Sequence, residues 1–290
     1  GGTMRVLVSG SEGFLGKHVC AALKEWGHTV IGLDTVAGAD IVADITKVIP
    51  IMQVDAVVHL AAVASPNVCT AAPAQAFNVN VQGTSQVLRL AMESGARKFV
   101  FSSSAHVYGI SPKYLPTDET HPLWLQNVYT TTKILGEQLC QLYHDNHGLS
   151  FTTLRLFNAY GPGQGSGYFV PDMIKKAKSG HIDLSGGETT KDWVHVSDVA
   201  RAFAYAVETA FVGPINIGTG VETPLSTVAR AITAFAGATL TVLPTPAYTR
   251  MQADWTRAYK VLNWEPTITL EEGLHGLLGD TLKARAVFTK

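Results

Sequence analysis

Tyr129 and Lys133 stand four residues apart in Tyr129-Thr130-Thr131-Thr132-Lys133, a stretch of helical pattern. Residues at that spacing share a helix face about one turn apart, so a phenol and an ammonium can meet the same ligand. The pair suits removal of a proton from a carbinol hydroxyl. A free tyrosine, with a pKa of about 10, is a poor base at neutral pH, and a neighbouring cation favours the phenolate. A third group comes from residues 99–109, F-V-F-S-S-S-A-H-V-Y-G, where an apolar run ends in Ser102, Ser103 and Ser104. A serine hydroxyl there can hydrogen-bond the same reacting oxygen. A Y-x-x-x-K spacing by itself equally describes an amphipathic helix surface, so its meaning depends on what lies upstream.

Upstream, the apolar run from Met4 to Val8 leads into Gly10-Ser11-Glu12-Gly13-Phe14-Leu15-Gly16. The spacing is G-x-x-G-x-x-G between a strand and a helical pattern. One glycine makes the tight turn, one lets backbone approach a pyrophosphate, and one lets helix pack on strand. The helix N-terminus offers free N–H groups and positive potential to phosphates. Asp34 ends the next strand, where an acid can bind the adenosine ribose hydroxyls and repel the extra phosphate of NADP. Asp44 ends the third strand on the same edge. The combination predicts NAD binding, and with it a second positive charge, on the nicotinamide ring, beside Tyr129.

The elements that must position these groups alternate in the first half of the chain. Strands are expected at residues 5–8, 29–33, 41–42, 56–60, 99–102 and 151–157, and helices at 15–25, 78–93 and 128–144. The strands are nearly continuous apolar runs, as expected of parallel strands covered on both faces. The fold class is therefore α/β, a doubly wound parallel sheet of the Rossmann kind. After Asn158 a glycine-dense loop, residues 159–167, introduces shorter elements: helices near 172–179, 197–208, 225–235 and 270–282, and a strand at 215–217. No long linker intervenes, so a smaller, interwoven C-terminal part is expected. The division is residues 4–164 plus about 192–218 for the dinucleotide, and about 165–191 plus 219–290 for substrate.

Of the 290 residues, 46% are hydrophobic, enough for a large core. The formal net charge of −1 and the lack of a basic block give little support to nucleic acid as a partner. Cys20, Cys69 and Cys140 form no C-x-x-C pair and read as inert core thiols in a reducing cytoplasm. No apolar stretch is long enough to cross a bilayer. Gly1-Gly2-Thr3 ahead of Met4 reads as a cloning remnant, and the expectation is a cytoplasmic chain without a signal peptide. No metal is expected.

Further runs follow in order: His59-Leu60-Ala61-Ala62, Asn78-Val79-Asn80-Val81-Gln82-Gly83-Thr84, Arg155-Leu156-Phe157-Asn158-Ala159-Tyr160-Gly161-Pro162-Gly163, Lys191-Asp192-Trp193-Val194-His195-Val196-Ser197-Asp198 and Asn216-Ile217-Gly218-Thr219-Gly220. With the glycine turn, the serine run and the Tyr129/Lys133 pair, the sequence resembles the extended short-chain dehydrogenase/reductase family, in particular its nucleotide-sugar epimerase/dehydratase group. The resemblance covers nearly the whole chain after Thr3. It implies Ser104 as the catalytic serine, Tyr129 as the base and Lys133 as the holder of the nicotinamide ribose. It implies cofactor contacts from Gly10, Gly13, Phe14, Leu15, Gly16, Asp34, Asp44, Ile45, Leu60, Ala61, Ala62, Asn80, Ser102, Tyr129 and Lys133. A nucleoside-diphosphate sugar would meet Ser104, His106, Tyr129, Asn158, Lys191 and Arg250. The family usually has arginine where Lys191 stands, which replaces a bidentate fork by a point charge. Arg250 reads equally as a solvated surface residue. The resemblance also implies a homodimer built on the helices at 78–93 and 128–144.

The residues after the serines bear on the reaction. Similar dehydratases carry an Asp-Glu pair there, and similar decarboxylases a glutamate just before Val-Tyr-Gly. Here Ala105-His106-Val107-Tyr108-Gly109 holds no carboxylate. The expected reaction is epimerisation at C4 of a nucleoside-diphosphate hexose through a 4-keto intermediate, with Tyr129 taking the O4 proton. The alternatives are a dehydratase or ketoreductase, and a dinucleotide-binding redox sensor without catalysis. Sensors of similar fold tend to lose the tyrosine and lysine kept here. His106, two residues after Ser104, would point to the same side if the chain stays extended. It is expected to titrate near neutral pH, and it reads either as a sugar contact or as a loop histidine bonded to backbone or water.

Overall fold

A computed structural model describes residues 2–245 and 249–287, with side chains described as far as Gly279 in the last helix. In chain order the strands are β1 (Arg5–Ser9), β2 (Thr29–Asp34), β3 (Ile41–Val42), β4 (Ala56–His59), β5 (Lys98–Ser104), β6 (Ser150–Leu156), β7 (Asn158–Tyr160), β8 (His181–Ser185), β9 (Thr190–His195), β10 (Gly213–Ile217), β11 (Glu222–Pro224) and β12 (Thr239–Leu243). The α-helices are α1 (Phe14–Glu25), α2 (Pro66–Ala71), α3 (Pro73–Phe77), α4 (Gly83–Glu93), α5 (Val128–His147), α6 (Phe169–Ala177), α7 (Val196–Ala206), α8 (Leu225–Ala236), α9 (Thr256–Leu262) and α10 (Leu270–Val287).

Successive side chains on a strand face opposite sides, and the apolar strands exploit both. Val6 and Val8 of β1 pack with Val58, Val100 and Leu154 on one face, under α1 and α7. Leu7 faces the other way and joins Val57, Phe99 and Phe101 beneath α4 and α5. Seven parallel strands result, in the order β10-β6-β5-β4-β1-β2-β3. This is the doubly wound Rossmann arrangement. The strand order reverses between β1 and β4, and the crevice outside the carboxyl ends of those strands is where such sheets bind ligands.

The later elements form a second, smaller cluster. β8 pairs β12 in parallel, and Ile182, Leu184, Met173, Val228, Ile232 and Leu274 pack together from β8, α6, α8 and α10. A three-stranded sheet, β11-β9-β7, lies between this cluster and the large sheet in the chain path. Two buried carboxylates stitch the return segments in place. Asp192 on β9 accepts from the Thr219 and Gly220 amides, the Thr219 hydroxyl and the Ala253 amide at 2.7–2.9 Å. Asp198 on α7 accepts from Thr267 and Ile268 amides and the Thr267 hydroxyl. Trp264, fully buried, donates its indole N–H to the Asp198 carbonyl at 2.9 Å. Among the described residues no helix is long and apolar enough to cross a membrane.

Residues 78–93 were expected as one helix. The chain instead forms a wide π turn at Asn78–Gln82 before α4. The turn coincides with an inward anchoring of Asn80, whose side chain accepts from the Val63 amide and donates to the Val63 carbonyl and the Thr132 hydroxyl at 2.8–3.0 Å. Gly83 follows against Ile45, where a Cβ would come within 2.6 Å of the isoleucine Cδ1.

Candidate active site

The glycine turn opens the crevice. Gly10 has a φ of +73°, and an added Cβ there would stand 2.8 Å from the Ala61 amide, so only glycine fits. A Cβ on Gly16 would fall 2.0 Å from the Gly10 carbonyl oxygen, which fixes the close approach of α1 to the turn. Gly13 caps α1 without a side-chain hydrogen bond. The first-turn N–H groups of α1 are thus left to a ligand, and Gly13, Phe14, Leu15 and Gly16 line the cleft.

A buried chain braces the other lip. The Ser9 hydroxyl accepts from the Leu60 and Ala61 amides at 3.2 and 3.3 Å. With both lone pairs used, its proton goes to His59 Nδ1 at 2.6 Å. His59 Nε2–H then donates to the Thr84 hydroxyl, which donates to the Asn80 carbonyl. Burial, aided by the Lys133 charge, pushes His59 down to about 3, so this ring stays neutral and the chain keeps one polarity. It holds Leu60, Ala61 and Ala62 along the cleft.

The cleft measures about 830 Å³. Asp34 and Asp44 line its far end, at the tips of β2 and β3, together with Ile45. The Asp34 carboxylate is held by the Glu12 amide at 3.0 Å and the Thr35 amide at 2.7 Å. Asp44 accepts from the Thr46 amide and hydroxyl, and these bonds hold its pKa below the ordinary carboxylate value.

Ser104, Tyr129 and Lys133 meet at the other end. β5 delivers the serines at its carboxyl tip. α5 starts at Asn127, whose side chain caps it through the Thr130 amide at 2.9 Å, and presents Tyr129, Lys133 and Glu137 on its buried face. Lys133 donates to the Ser102 carbonyl at 2.9 Å, and its Nζ lies 5.8 Å from the Tyr129 ring centre. Burial pushes Lys133 down to about 8. Burial pushes the Tyr129 phenol up to about 12, against a hydrogen bond with Ser104 that draws it down. The protein alone therefore favours the phenol, and the cationic nicotinamide ring is the group that would shift the balance toward phenolate.

His106 corrects two expectations. The chain does not stay extended: Ala105–Tyr108 make a 3-10 turn capped by Ser104, whose hydroxyl accepts from the His106 amide at 3.2 Å. The imidazole folds back, with Nδ1 2.9 Å from Ser104 Oγ and its ring edge-on to Tyr129 at 6.3 Å. Burial, then the Lys191 charge, pushes it down to about 4, so it does not titrate near neutral pH.

The remaining expected residues separate. Asn158 and Lys191 line the cleft, with Lys191 Nζ 3.4 Å from the Met251 thioether. Asn158 donates to the Asp192 carbonyl at 3.3 Å. Asn80 is not among the lining residues, because its amide is consumed by Val63 and Thr132. Arg250 is not among them either. Glu222 grips its guanidinium through two oxygens at 2.6 and 2.7 Å. Ser103 lines the cleft with the rest of the serine run, and Gln164, Tyr168, Phe169 and Trp193 also line it and were not anticipated. Trp193 was within reach of inference, since on β9 it lies two residues from Lys191 and so shares its face. Nothing in the glycine-dense loop singled out Gln164, nor did the residues after it single out Tyr168.

A switch-point cleft with a glycine turn, an uncapped helix and a Ser-Tyr-Lys cluster defines a dinucleotide-binding α/β protein. The family model described as NAD dependent epimerase/dehydratase family matches residues 6–218. The UDP-glucose 4-epimerase of Mycolicibacterium smegmatis is 33% identical, over 93% of this chain and 96% of that protein. UDP-glucuronic acid decarboxylase 5 of Arabidopsis thaliana is 30% identical, over 93% of this chain and 87% of that one. The crystal structure of the Thermus thermophilus UDP-glucose 4-epimerase in complex with NAD superposes with a TM-score of 0.85 at 27% identity, covering 97% of this chain and all of that one. The chain belongs to the NAD dependent epimerase/dehydratase family, and NAD is its cofactor.

Proposed function

We propose that the chain is a nucleoside-diphosphate-hexose 4-epimerase. The observation that carries this reading is the distribution of charge in the cleft. The only carboxylates among its described lining residues, Asp34 and Asp44, stand at the ends of β2 and β3, whereas Ser104, His106, Tyr129 and Lys133 gather beyond β4. Elimination or decarboxylation assisted by a carboxyl group beside the reacting carbons would lack that group here. Epimerisation requires one proton carrier at the sugar oxygen, and Tyr129 supplies it.

Bound NAD supplies the electron-pair acceptor and donor that oxidises a carbinol carbon and reduces the ketone again. Tyr129 takes the hydroxyl proton and later returns it, while Ser104 hydrogen-bonds the same oxygen. Lys133 holds the nicotinamide ribose, and its charge favours the phenolate. Lys191 and Asn158 hold the sugar nucleotide. In this reading residues 4–164 with about 192–218 carry the cofactor, and about 165–191 with 219–290 carry the substrate. Incubation with a panel of nucleoside-diphosphate sugars tests the reaction. The expected products are C4 epimers by NMR with no net NADH by absorbance. Accumulating NADH or a deoxy-keto product would instead establish a dehydrogenase or dehydratase.

Asp34 makes NAD the preferred dinucleotide. Its carboxylate would face the additional phosphate of NADP across the ribose, and NAD is expected to bind at least about tenfold tighter, a difference of about 1.4 kcal/mol. Isothermal titration with both dinucleotides checks this, and equal affinities would remove the role given to Asp34.

A homodimer through α4 and α5 is the expected assembly. Met92, Leu135 and Leu142 are exposed apolar side chains on these two adjacent helices. Light scattering at micromolar concentration should give twice the chain mass. Leu142→Glu, which buries a charge in the interface, should shift the mass toward the monomer.

A further inference from the structure

We propose that His106 is a positioning residue for Tyr129 and acts through Ser104: its imidazole donates into the serine hydroxyl and so turns that hydroxyl's single proton toward the tyrosine oxygen. The inference rests on the reading of Tyr129 as the proton carrier and assigns a residue that the Ser-Tyr-Lys set does not contain.

The argument is one of hydrogen-bond capacity. A serine hydroxyl has one proton and two lone pairs. The 3-10 turn at Ala105–Tyr108 commits one lone pair of Ser104 Oγ to the His106 amide at 3.2 Å. His106 Nδ1 reaches the same oxygen at 2.9 Å. Two arrangements follow. If Nδ1 accepts, the serine proton is spent on the ring, and Ser104 can receive a hydrogen bond from Tyr129 but not give one. That stabilises the phenol. If Nδ1–H donates, both lone pairs are filled, and the serine proton is available to the Tyr129 oxygen. That stabilises the phenolate. Which nitrogen of His106 carries its proton therefore sets the direction of the bond between Ser104 and Tyr129.

The surroundings keep the choice meaningful. A doubly protonated ring would have no tautomer to select, and the Lys191 ammonium on β9, together with burial, disfavours that form. The groups that face Tyr129 are Ser104, Lys133 one turn along its own helix, Cys69 from α2, Tyr168 ahead of α6, and the edge of His106 itself. Of these only Lys133 carries charge at neutral pH, and Lys133, Cys69 and Tyr168 are kept in every variant below.

The test uses NAD-loaded enzyme and reads the tyrosinate absorbance of Tyr129 against pH, with Tyr129→Phe as the blank for the other tyrosines. His106→Leu removes the donor at similar bulk. His106→Asn keeps an amide nitrogen near the place of Nδ1. In His106→Leu the Tyr129 titration is expected to move up by about one pH unit, a tenfold loss of phenolate at neutral pH. The pH profile of kcat should move with it, and KM should stay within about twofold. His106→Asn should return most of the shift. In a Ser104→Ala background, where the link is cut, His106→Leu should add no further shift.

An unchanged titration in His106→Leu would overturn the proposal, as would a full shift that persists without Ser104. A rise in KM with the kcat profile unmoved would also overturn it, and would make His106 a direct sugar contact. The titration needs no substrate. A failure of the epimerase assay therefore leaves this coupling measurable, and a failure of the coupling leaves the assay standing.

Discussion

Tyr129→Phe is expected to lower kcat by about 10²–10⁴-fold, the range that a positioned acid–base group contributes, while NAD binding survives. The ring is packed against Cys69 and Ala76 and is only 8% exposed. Phenylalanine keeps that packing and removes one oxygen. What is lost is the proton carrier, not the pocket. Lys133 would still bond the Ser102 carbonyl and remain free to meet the nicotinamide ribose. Steady-state kinetics with a fluorescence titration of NAD separates the two effects. A variant that keeps more than about a tenth of wild-type kcat would exclude Tyr129 as the base.

Glu137→Ala is expected to cost about 3–5 kcal/mol of folding stability, because it strands a buried guanidinium. Glu137 lies one turn beyond Lys133 on α5 and holds Arg155 of β6 through both oxygens, at 2.9 and 2.6 Å. Both side chains are at most 8% exposed. Arg155 also donates to the Tyr108 hydroxyl, which donates to Asn216 of β10. The pair thus ties the helix that carries Tyr129 and Lys133 to two strands and to the turn that holds His106. Replacing both partners by apolar residues, Glu137→Leu with Arg155→Met, should recover most of the loss, since no charge is left behind. Denaturant unfolding of the three proteins measures this. A loss below about 1 kcal/mol in the single variant would mean that solvent reaches Arg155.

The sheet was legible because its strands are short apolar runs that must be covered on both faces, and because Gly10, Gly13 and Gly16 each meet a steric demand of the turn. The Tyr129–Lys133 pair was legible because helix geometry alone brings the two side chains together. What the sequence hides is the partner that each of these side chains meets. Arg250 is paired with Glu222, which lies 28 residues away in the chain, and no local pattern announces that partner. Asn80 has both ends of its amide engaged by Val63, 17 residues away in the chain. The bend at His106 is dictated by the Ser104 cap, a local bond that the apolar pattern of β5 conceals. β8 and β12 were missed outright. His181–Ser185 and Thr239–Leu243 are each five residues long, the first alternating exposed with buried residues and the second exposed with half-buried ones. Their pairing joins residues about sixty apart, and a helix, α8, ends just before the second of them.

The burial of Trp264 also sets a timetable. This side chain, with Ala258 and Leu262 of α9, belongs to the core on the α1 and α7 face of the large sheet, yet it leaves the ribosome long after β5 does. At about 5–20 residues per second, the interval between Ser104 and Trp264 is on the order of ten to thirty seconds. Until Ile217 is made β6 has no complete β10 at its edge, and through the whole interval the indole that closes the core is missing. A nascent chain at this stage exposes a parallel sheet with an open strand and an uncovered apolar face, the surface that chaperones recognise and that neighbouring chains can pair with. Yield in the cell is thus tied to the last tenth or so of the chain, which holds none of the residues assigned to chemistry.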